Sequence, residues 1–346
     1  MMFTQGVLAT AKLAHRTRTY LLFFAGICLA TSAHSQSFSF GLWGDMPYGK
    51  ANDAPKIHPL IADMNRSDIA FSIYDGDIKD GSSKCTDDVY ADAAKMFNAL
   101  RKPAIYVPGD NEWTDCHRLN NGGYSAMERL DHIRREMFSS GRSFGKKTLP
   151  LEQQGKPGGK FSENVRFTRQ GILFLGLNVP GSNNNKVADD KDCTNKSART
   201  PEQCGAYNAE YLERDAANIA WLEQGFQIAG KNRMRGVVLA IQADPGFDVP
   251  ETESFDERSL PDFDGYTAFL NKLIEQTRSF SGQVLLVHGG THFFKVDKPL
   301  IRQDNLLQNF TRIETFGSPN IHWVKVTVNP NSRTLFTIQP MLVKGN

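Results

Sequence analysis

Three aspartates at nearly equal spacing constrain the fold of this chain more than any other sequence feature. Asp45, Asp77 and Asp110 each follow a glycine that closes a short apolar run, and they lie 32 and 33 residues apart. That interval accommodates a strand, a helix and a return strand, and consecutive parallel strands bring their carboxyl ends to one edge of a sheet. The spacing therefore predicts a β-α-β-α-β unit that places three carboxylates side by side.

The two segments between these aspartates have the periodicity of amphipathic helices. In residues 54–65 and 87–100, apolar side chains recur at intervals of three and four, which marks one helical face. Grouped carboxylates repel one another and raise one another's pKa unless a cation neutralises them. We therefore expect the three aspartates to form a metal site.

Two later strands are predicted to end at the same edge of the sheet. The apolar run 237–241 ends at Gln242, and the run 284–287 is followed by His288 and His292. A single polar residue after a strand is more often a turn former or a helix cap than a ligand. Repeated placement of such residues after buried strands favours a functional site.

The remaining segments are predicted to complete one domain. Residues 180–206 have the composition of a loop, and a loop of that length is usually functional or poorly ordered. Helices are expected at 209–228 and 263–280. Residues 322–328 and 334–339 alternate in polarity on either side of a turn, which predicts a closing antiparallel hairpin.

The N-terminal segment has the layout of a secretory signal peptide. Basic residues precede the apolar run 20–30, and small residues follow it. That run is about half of the ~20 residues that a membrane span needs, and no later segment comes close. We predict a signal peptide at 1–33, a single domain at 34–346, and a periplasmic or secreted location.

Cysteine usage agrees with an oxidising compartment. Removal of the predicted signal peptide leaves Cys85, Cys116, Cys193 and Cys204, an even number that suggests two disulfides. Three pairings are open. Cys85 lies eight residues after Asp77, and Cys116 lies six residues after Asp110, so both should emerge at the same edge of the sheet. We therefore expect Cys85 to pair with Cys116, and Cys193 with Cys204. Zinc-binding thiolates are disfavoured because no Cys-x-x-Cys spacing is present.

Overall charge gives no reason to expect nucleic acid as a partner. The 40 lysines and arginines nearly balance the 38 aspartates and glutamates, whereas nucleic-acid binding usually requires a basic surface. No membrane span is expected, and the oligomeric state is left open. A small molecule is the expected partner.

The order of these strand ends resembles the five sequence blocks of the calcineurin-like metallophosphoesterases. The resemblance extends over residues 38–296. The matching stretches are Gly44-Asp45-Met46-Pro47, Gly76-Asp77-Ile78-Lys79-Asp80, Gly109-Asp110-Asn111-Glu112, Gln242-Ala243-Asp244-Pro245 and Gly289-Gly290-Thr291-His292. The resemblance implies an α/β fold with a central β-sandwich of mixed sheets flanked by helices, in four α-β-β-α layers.

The resemblance also implies roles for individual residues. Asp45 and His292 would hold a first metal ion, Asp77 would bridge two metals, and Asp110 would replace the asparagine ligand of the second. Gln242 stands where the family has a second-metal histidine. The implied metal ligands are therefore Asp45, Asp77, Asp110, Gln242 and His292.

Several histidines of the family pattern are missing. Pro47 and Gly290 occupy ligand positions, and Asn111 occupies the position of the histidine thought to assist protonation of the leaving group. We take Asn111 and His288 as the candidate catalytic residues, His288 because it could compensate for a missing imidazole. A donor set this rich in oxygen favours Mn²⁺, Mg²⁺ or Ca²⁺ over zinc or iron.

The expected function is that of an exported metal-dependent phosphoesterase that hydrolyses phosphate esters with a metal-activated water. The losses are uneven between the two metal positions, so we expect one tight and one weak site. The alternative is a catalytically inactive relative that binds a phosphorylated or anionic ligand. A dinucleotide-binding Rossmann module is excluded because no Gly-x-Gly-x-x-Gly follows the first strand.

Overall fold

Two β-sheets pack face to face between two layers of helices. The computed structural model describes residues 36–346, so the predicted signal peptide lies outside the described residues. The strands are β1 (Phe38–Trp43), β2 (Ser72–Tyr74), β3 (Ala104–Tyr106), β4 (Glu152–Gln153), β5 (Val165–Arg169), β6 (Ile172–Gly176), β7 (Gly236–Ala240), β8 (Gln283–His288), β9 (Lys295–Asp297), β10 (Phe310–Glu314), β11 (Trp323–Val328) and β12 (Phe336–Met341).

Six right-handed helices accompany the strands, together with a left-handed turn at Gly181–Asn184 and short 3-10 turns. The helices are α1 (Ala54–Arg66), α2 (Asp87–Asn98), α3 (Ala126–Met137), α4 (Asp190–Thr194), α5 (Pro201–Lys231) and α6 (Thr267–Ser279) within the described residues. None of them is long and apolar enough to cross a bilayer. The described residues all fall into one unit by their internal contacts.

The first sheet contains the predicted parallel unit. Its strand order is β12-β11-β1-β2-β3. β1, β2 and β3 are parallel and in close register, with Leu42 opposite Ile73 and Ile73 opposite Ile105. β11 and β12 form the predicted antiparallel hairpin against β1.

The second sheet supplies the other strand ends of the site. Its order is β4-β5-β6-β7-β8-β10-β9, with β6, β7, β8 and β10 parallel and the outer strands antiparallel. β10 was not foreseen from the sequence. The mixed sheets and the flanking helices confirm the predicted fold class.

Alternating side chains divide the interior into layers. On β6, Phe174 faces the first sheet, where its ring lies 5.3 Å from that of Phe40 and 5.0 Å from that of Phe71. The neighbouring Leu173 and Leu175 face α5 and α6 instead. This alternation follows from the two-residue period of a strand that is buried on both faces.

The segment expected to be a loop at 180–206 is partly helical. α4 lies inside it, and α5 begins at Pro201 rather than near residue 209. Thr200 and Gln203 form a capping box, in which each side chain bonds the other's backbone N–H. Because these residues precede a weakly apolar first turn, the hydrophobic pattern placed the helix start too late.

Both predicted disulfides are present. The Cα atoms of Cys85 and Cys116 are 5.8 Å apart, and those of Cys193 and Cys204 are 5.9 Å apart. The sulfur atoms of the first bridge lie 3.6 and 3.8 Å from the carbonyl oxygen of Asn111, beside the predicted site. The second bridge joins α4 to the first turns of α5.

We expect the first bridge to contribute more stability than the second. Replacing Cys85 and Cys116 by alanine should lower the unfolding free energy by about 3.7 kcal/mol, and replacing Cys193 and Cys204 by about 2.8 kcal/mol, since loop-closure entropy grows with loop length. The two pairs are separated by 31 and 11 residues. Urea unfolding of both variants measures the difference, and a larger loss for the second pair would contradict the expected order.

Candidate metal centre

The predicted ligands lie beyond the carboxyl ends of the parallel strands, at the junction of the two sheets. Three of them occupy the left-handed backbone region, with φ of 51° at Asp45, 62° at Asp77 and 65° at His292. Such conformations cost energy for residues other than glycine and concentrate at functional sites. The backbone N–H of Asp45 bonds the carbonyl of Gly76 at 2.8 Å, which ties the first two strand ends together.

Asp45 and His292 form one half of the site. Asp45 is fully buried, and its Oδ1 is 3.4 Å from Nε2 of His292. Nδ1 of His292 bonds the carbonyl oxygen of Ser318 at 2.8 Å, so this nitrogen carries the proton and Nε2 faces the carboxylate. Burial opposes the charged imidazole, but the contact with Asp45 prevails and raises the pKa of His292.

Asp77 lies at the centre of the other half. Its Oδ1 accepts the backbone N–H of Asn111 at 3.1 Å. Its Oδ2 accepts hydrogen bonds from Tyr48 Oη at 3.1 Å, Asn111 Nδ2 at 2.8 Å and Gln242 Nε2 at 3.2 Å. Burial, followed by the carboxylates of Asp110 and then Asp45, raises the pKa of Asp77 well above its usual range.

The side-chain amide of Gln242 is turned away from the orientation of a metal ligand. Its Oε1 accepts the backbone N–H of Gly181 at 2.6 Å, which leaves the NH₂ group facing Asp77. An amide nitrogen donates hydrogen bonds and does not ligate cations. In this orientation, Gln242 stabilises the Asp77 carboxylate by hydrogen bonding.

A left-handed turn at residues 182–185 forms the wall beside Asp110. Ser182, Asn183, Asn184 and Asn185 all have φ between 50° and 64°. Asparagine tolerates this region better than most residues, which accounts for the Asn-Asn-Asn run. The turn directs the Ser182 hydroxyl to Oδ2 of Asp110 at 2.8 Å.

Buried Arg214 on α5 holds the left-handed turn in place. Its guanidinium donates to the Asn184 side-chain oxygen at 2.5 Å and to the Asn184 carbonyl at 2.7 Å. It also donates to the Asn178 carbonyl at 3.0 Å and to the Glu210 carboxylate at 2.7 Å. Four acceptors on one buried guanidinium offset the strain that the turn would otherwise impose.

Glu112 stabilises the backbone beside Asp77 and Asp110 by accepting hydrogen bonds in the interior of the protein. Its Oε1 accepts the N–H of Gly109 at 2.6 Å, the N–H of Asp77 at 3.2 Å and the Tyr106 hydroxyl at 2.9 Å. The side chain is fully buried, and burial raises its pKa. Glu112 therefore fixes the relative position of two strand ends rather than facing a substrate.

His288 is not brought together with the other predicted residues. It is fully buried, and its Nδ1 bonds the carbonyl oxygen of Gly289 at 2.7 Å. Burial and then the charge of Arg312 lower the pKa of His288 to about 3. Its imidazole lies with the carboxylates of Asp244 and Glu314, and one ligand atom from each of the three lies within 4.8 Å of the others.

Three residues of this region were missed in the sequence. Tyr48 lies only three positions after Asp45, and this short spacing alone was a signal that its side chain could reach the site. Ser182 opens an Asn-rich run that was assigned only to a loop. Glu314 ends β10, which was not recognised because its five residues, Phe310–Glu314, include two charged side chains.

A cavity of about 1120 Å³ opens over the aspartates. Asp77, Asp110, Asn111, Gln242 and His292 line its floor. The segment around the second disulfide contributes the cationic side chains of Lys186, Lys196 and Arg199 to the wall, and Arg118 follows Cys116 of the first disulfide. Further carboxylates also line the cavity, those of Asp115, Asp192, Asp244, Asp248, Glu257 and Asp262. The cavity thus has an acidic floor and a wall of mixed charge.

The residues fit a divalent cation better at one of the two predicted positions. Within residues 36–346, no lysine or arginine forms an ion pair with Asp45, Asp77 or Asp110. Asp45, Asp77 and His292 therefore offer two buried carboxylates and an oriented imidazole, a suitable donor set for a cation. The second position adds only Asp110 to the shared Asp77, because Gln242 presents its NH₂ group there instead of an oxygen.

Comparisons with known proteins agree with this fold. No protein-family profile and no curated protein matches the chain. A solved structure of PhoD aligns with 90% of this chain and 67% of that chain, at 13% sequence identity and a TM-score of 0.54. Purple acid phosphatase PPD1 from yellow lupin seeds aligns with 90% of this chain and 52% of that chain, at 11% identity and a TM-score of 0.48. The likeness to PhoD shows that the chain has the calcineurin-like metallophosphoesterase fold.

We expect one tight and one weak metal position at these aspartates. Asp77→Ala should abolish binding at both, because Asp77 is shared, whereas Gln242→Ala should mainly weaken the second. Elemental analysis and calorimetric titration with Mn²⁺ measure both effects. Two equally tight ions at these aspartates, or none retained with excess Mn²⁺, would contradict this assignment.

Gly289 offers a test of the Asp45 position that removes no ligand. A Cβ added at Gly289 would collide with the carboxylate of Asp45, whereas one added at Gly205 on α5 meets nothing within 4 Å. Gly289→Ala should therefore weaken the tight Mn²⁺ position at least tenfold, while Gly205→Ala leaves it unchanged. Equal affinities in calorimetric titration of the two folded variants would show that Asp45 does not ligate.

Proposed function

We propose that the protein is an exported metal-dependent phosphoesterase that acts on small phosphate esters. The observation that carries this proposal is the convergence of Asp77, Asp110 and His292 at the floor of one cavity, with Asp45 buried beside His292 and no lysine or arginine in the described chain paired to the three aspartates. The calcineurin-like fold supports the same class of reaction.

Asp45, Asp77 and His292 would hold the tighter cation, and Asp77 with Asp110 the weaker one. A divalent cation at such a site stabilises the charge of a transferring phosphoryl group and makes water a stronger nucleophile. The chain itself fixes the orientation of the donors, because Ser318 orients His292 and Glu112 fixes the backbone of Asp77. Mn²⁺ and Mg²⁺ suit these oxygen-rich donors.

The cationic side chains of the cavity wall favour an anionic substrate. Arg199 and Lys196 lie on the segment closed by the second disulfide, and Arg118 contacts both Asp115 and Ser182. These cations would attract the phosphate and other acidic groups of a substrate toward the acidic floor. Asn111 lines the same cavity, but its NH₂ group already donates to Asp77 and to the Tyr48 hydroxyl, and an amide cannot supply a proton.

Among the described residues, none of Glu112, His117 and His288 is suited to protonate a leaving group. Glu112 and His288 are fully buried. His117 lines the cavity, but burial and the charges of Arg199 and Arg118 lower its pKa to about 3, so it is neutral at neutral pH. The proposed reaction therefore depends on the intrinsic quality of the leaving group.

Export is the second element of the proposal. The two disulfides suit an oxidising compartment. The basic and apolar pattern of residues 1–33 supports the same location. We infer a periplasmic or secreted protein.

A non-catalytic role in binding an anionic or phosphorylated ligand is the second candidate. It is favoured by the three donors on Oδ2 of Asp77, from Tyr48, Asn111 and Gln242, which stabilise that carboxylate without a cation. Burial and the charge of Asp77 raise the pKa of Tyr48, so its hydroxyl stays protonated and donates. Assaying the purified mature protein with an aryl phosphate in Mn²⁺ separates the two candidates, because only the first turns over.

Substrate choice gives a sharper test of the proposed mechanism. We expect turnover of aryl phosphates and aryl diesters, with alkyl phosphates slower by about 10²–10⁴-fold, the usual contribution of general acid catalysis. Asp45→Asn should abolish turnover of both, and His117→Gln should leave the ratio between them unchanged. Equal rates on alkyl and aryl esters, measured by phosphate release, would mean that a proton donor has been overlooked.

A further inference from the structure

Asp244, His288 and Glu314 form a second cluster of potential ligands behind the floor of the cavity. Each of these three side chains, all within the described residues 36–346, has one potential ligand atom that lies within 4.8 Å of those of the other two. The three residues come from the ends of β7, β8 and β10, so parallel pairing in the second sheet assembles them. His288 and Glu314 are fully buried.

Each of the three side chains has one polar atom that forms a hydrogen bond within the protein and a second that has no hydrogen-bond partner. Oδ1 of Asp244 accepts the N–H groups of Gly246 and Phe247 at 3.0 and 2.8 Å. Oε1 of Glu314 accepts the Thr291 hydroxyl. In the described structure, the remaining Asp244 Oδ2, His288 Nε2 and Glu314 Oε2 are buried without a hydrogen-bond partner.

The tautomer of His288 follows from its backbone contact. Because Nδ1 bonds the carbonyl oxygen of Gly289 at 2.7 Å, Nδ1 carries the proton and Nε2 presents a lone pair. A fully buried lone pair facing two carboxylates without a donor is costly. An imidazole oriented through its other nitrogen by a carbonyl is the usual arrangement of a metal-ligating histidine.

The charge of the surroundings also suits a cation. Arg312 is the one basic side chain at the cluster among the described ion pairs, with Nη1 3.5 Å from Oδ2 of Asp244. Its Nε and Nη2 are engaged by Asp297, the first at 2.8 Å, so Asp297 already offsets its charge. With the charge of Arg312 offset in this way, ionised Asp244 and Glu314 would carry two negative charges, which a divalent cation would neutralise.

The geometry points to a metal site distinct from the aspartate centre, in which Asp244, His288 and Glu314 hold a divalent transition-metal cation. One nitrogen and two carboxylate oxygens are a ligand set that Zn²⁺ and Mn²⁺ accept, with water completing the coordination. Asp244 and Thr291 also line the large cavity, which gives the cation a route of entry. The Asp45, Asp77 and His292 position shares none of these three ligands.

The test separates this site from the aspartate centre by disabling the latter. In an Asp77→Asn variant of the mature protein, stripped with chelator, calorimetric titration with Zn²⁺ and with Mn²⁺ should still find one bound ion with at least one of them. Adding Glu314→Gln should weaken that binding more than about 100-fold, because even losing an outer-sphere partner costs ~10–100-fold. Adding Thr291→Val, which removes such a partner, should cost about tenfold.

Asp248→Asn in the same background is the matched control. Asp248 is a half-exposed carboxylate of the cavity that pairs with Lys295 and supplies no ligand atom to the cluster, so its loss should lower the affinity far less than Glu314→Gln does. Metal should also raise the melting temperature of the Asp77→Asn variant, but not of the variant carrying Glu314→Gln as well. If Glu314→Gln does not fold, His288→Gln replaces it.

Two results would overturn the assignment. The first is absence of any bound ion in the folded Asp77→Asn variant with either metal. The second is binding that Glu314→Gln and His288→Gln leave unchanged, which would place the ion elsewhere. The first result has one more specific form. If no metal binds and Glu314→Gln raises the melting temperature in the absence of metal, a proton on Glu314 neutralises the cluster in place of a metal ion.

Discussion

The parallel register of β1, β2 and β3 is the constraint on which the rest of the site depends. It brings Asp45, Asp77 and Asp110 to one edge, where burial and the neighbouring carboxylates of Asp110 and Asp45 disfavour the charged form of Asp77. Around the central one, Asp77, the protein supplies neutral donors from side chains and backbone. Those donors lower the cost of assembling the carboxylates, and a cation would lower it further.

The backbone of one strand end also lies in close contact with the carboxylate of a neighbouring strand end, and this arrangement occurs more than once in the site. Side chains added at Gly109 and Gly289 would collide with Asp77 and Asp45 respectively. Glycine at these positions lets each carboxylate lie directly on the neighbouring strand end. At Gly109, the Gly-Asp pattern thus reflects packing between adjacent strand ends as much as turn formation.

The wall of the cavity depends on buried polar contacts rather than on apolar packing. The left-handed turn at residues 182–185 is fixed by Arg214, and the segment beyond it is closed by the Cys193–Cys204 bridge. An ordered wall of this kind holds Arg199 and Lys196 opposite the acidic floor. The contacts that stabilise the wall thereby also fix the positions of its charged side chains in the cavity.

The sequence by itself determined the β-α-β-α-β unit, the positions of Asp45, Asp77 and Asp110, and both disulfide pairs. These follow from local periodicity and regular spacing, which the chain carries without reference to distant residues. Tertiary structure decided the orientation of Gln242, because its amide is fixed by Gly181, 61 residues away. It also decided the grouping of His288 with Glu314, because that depends on the pairing of β8 with β10, and no local pattern encodes the order of strands in a sheet.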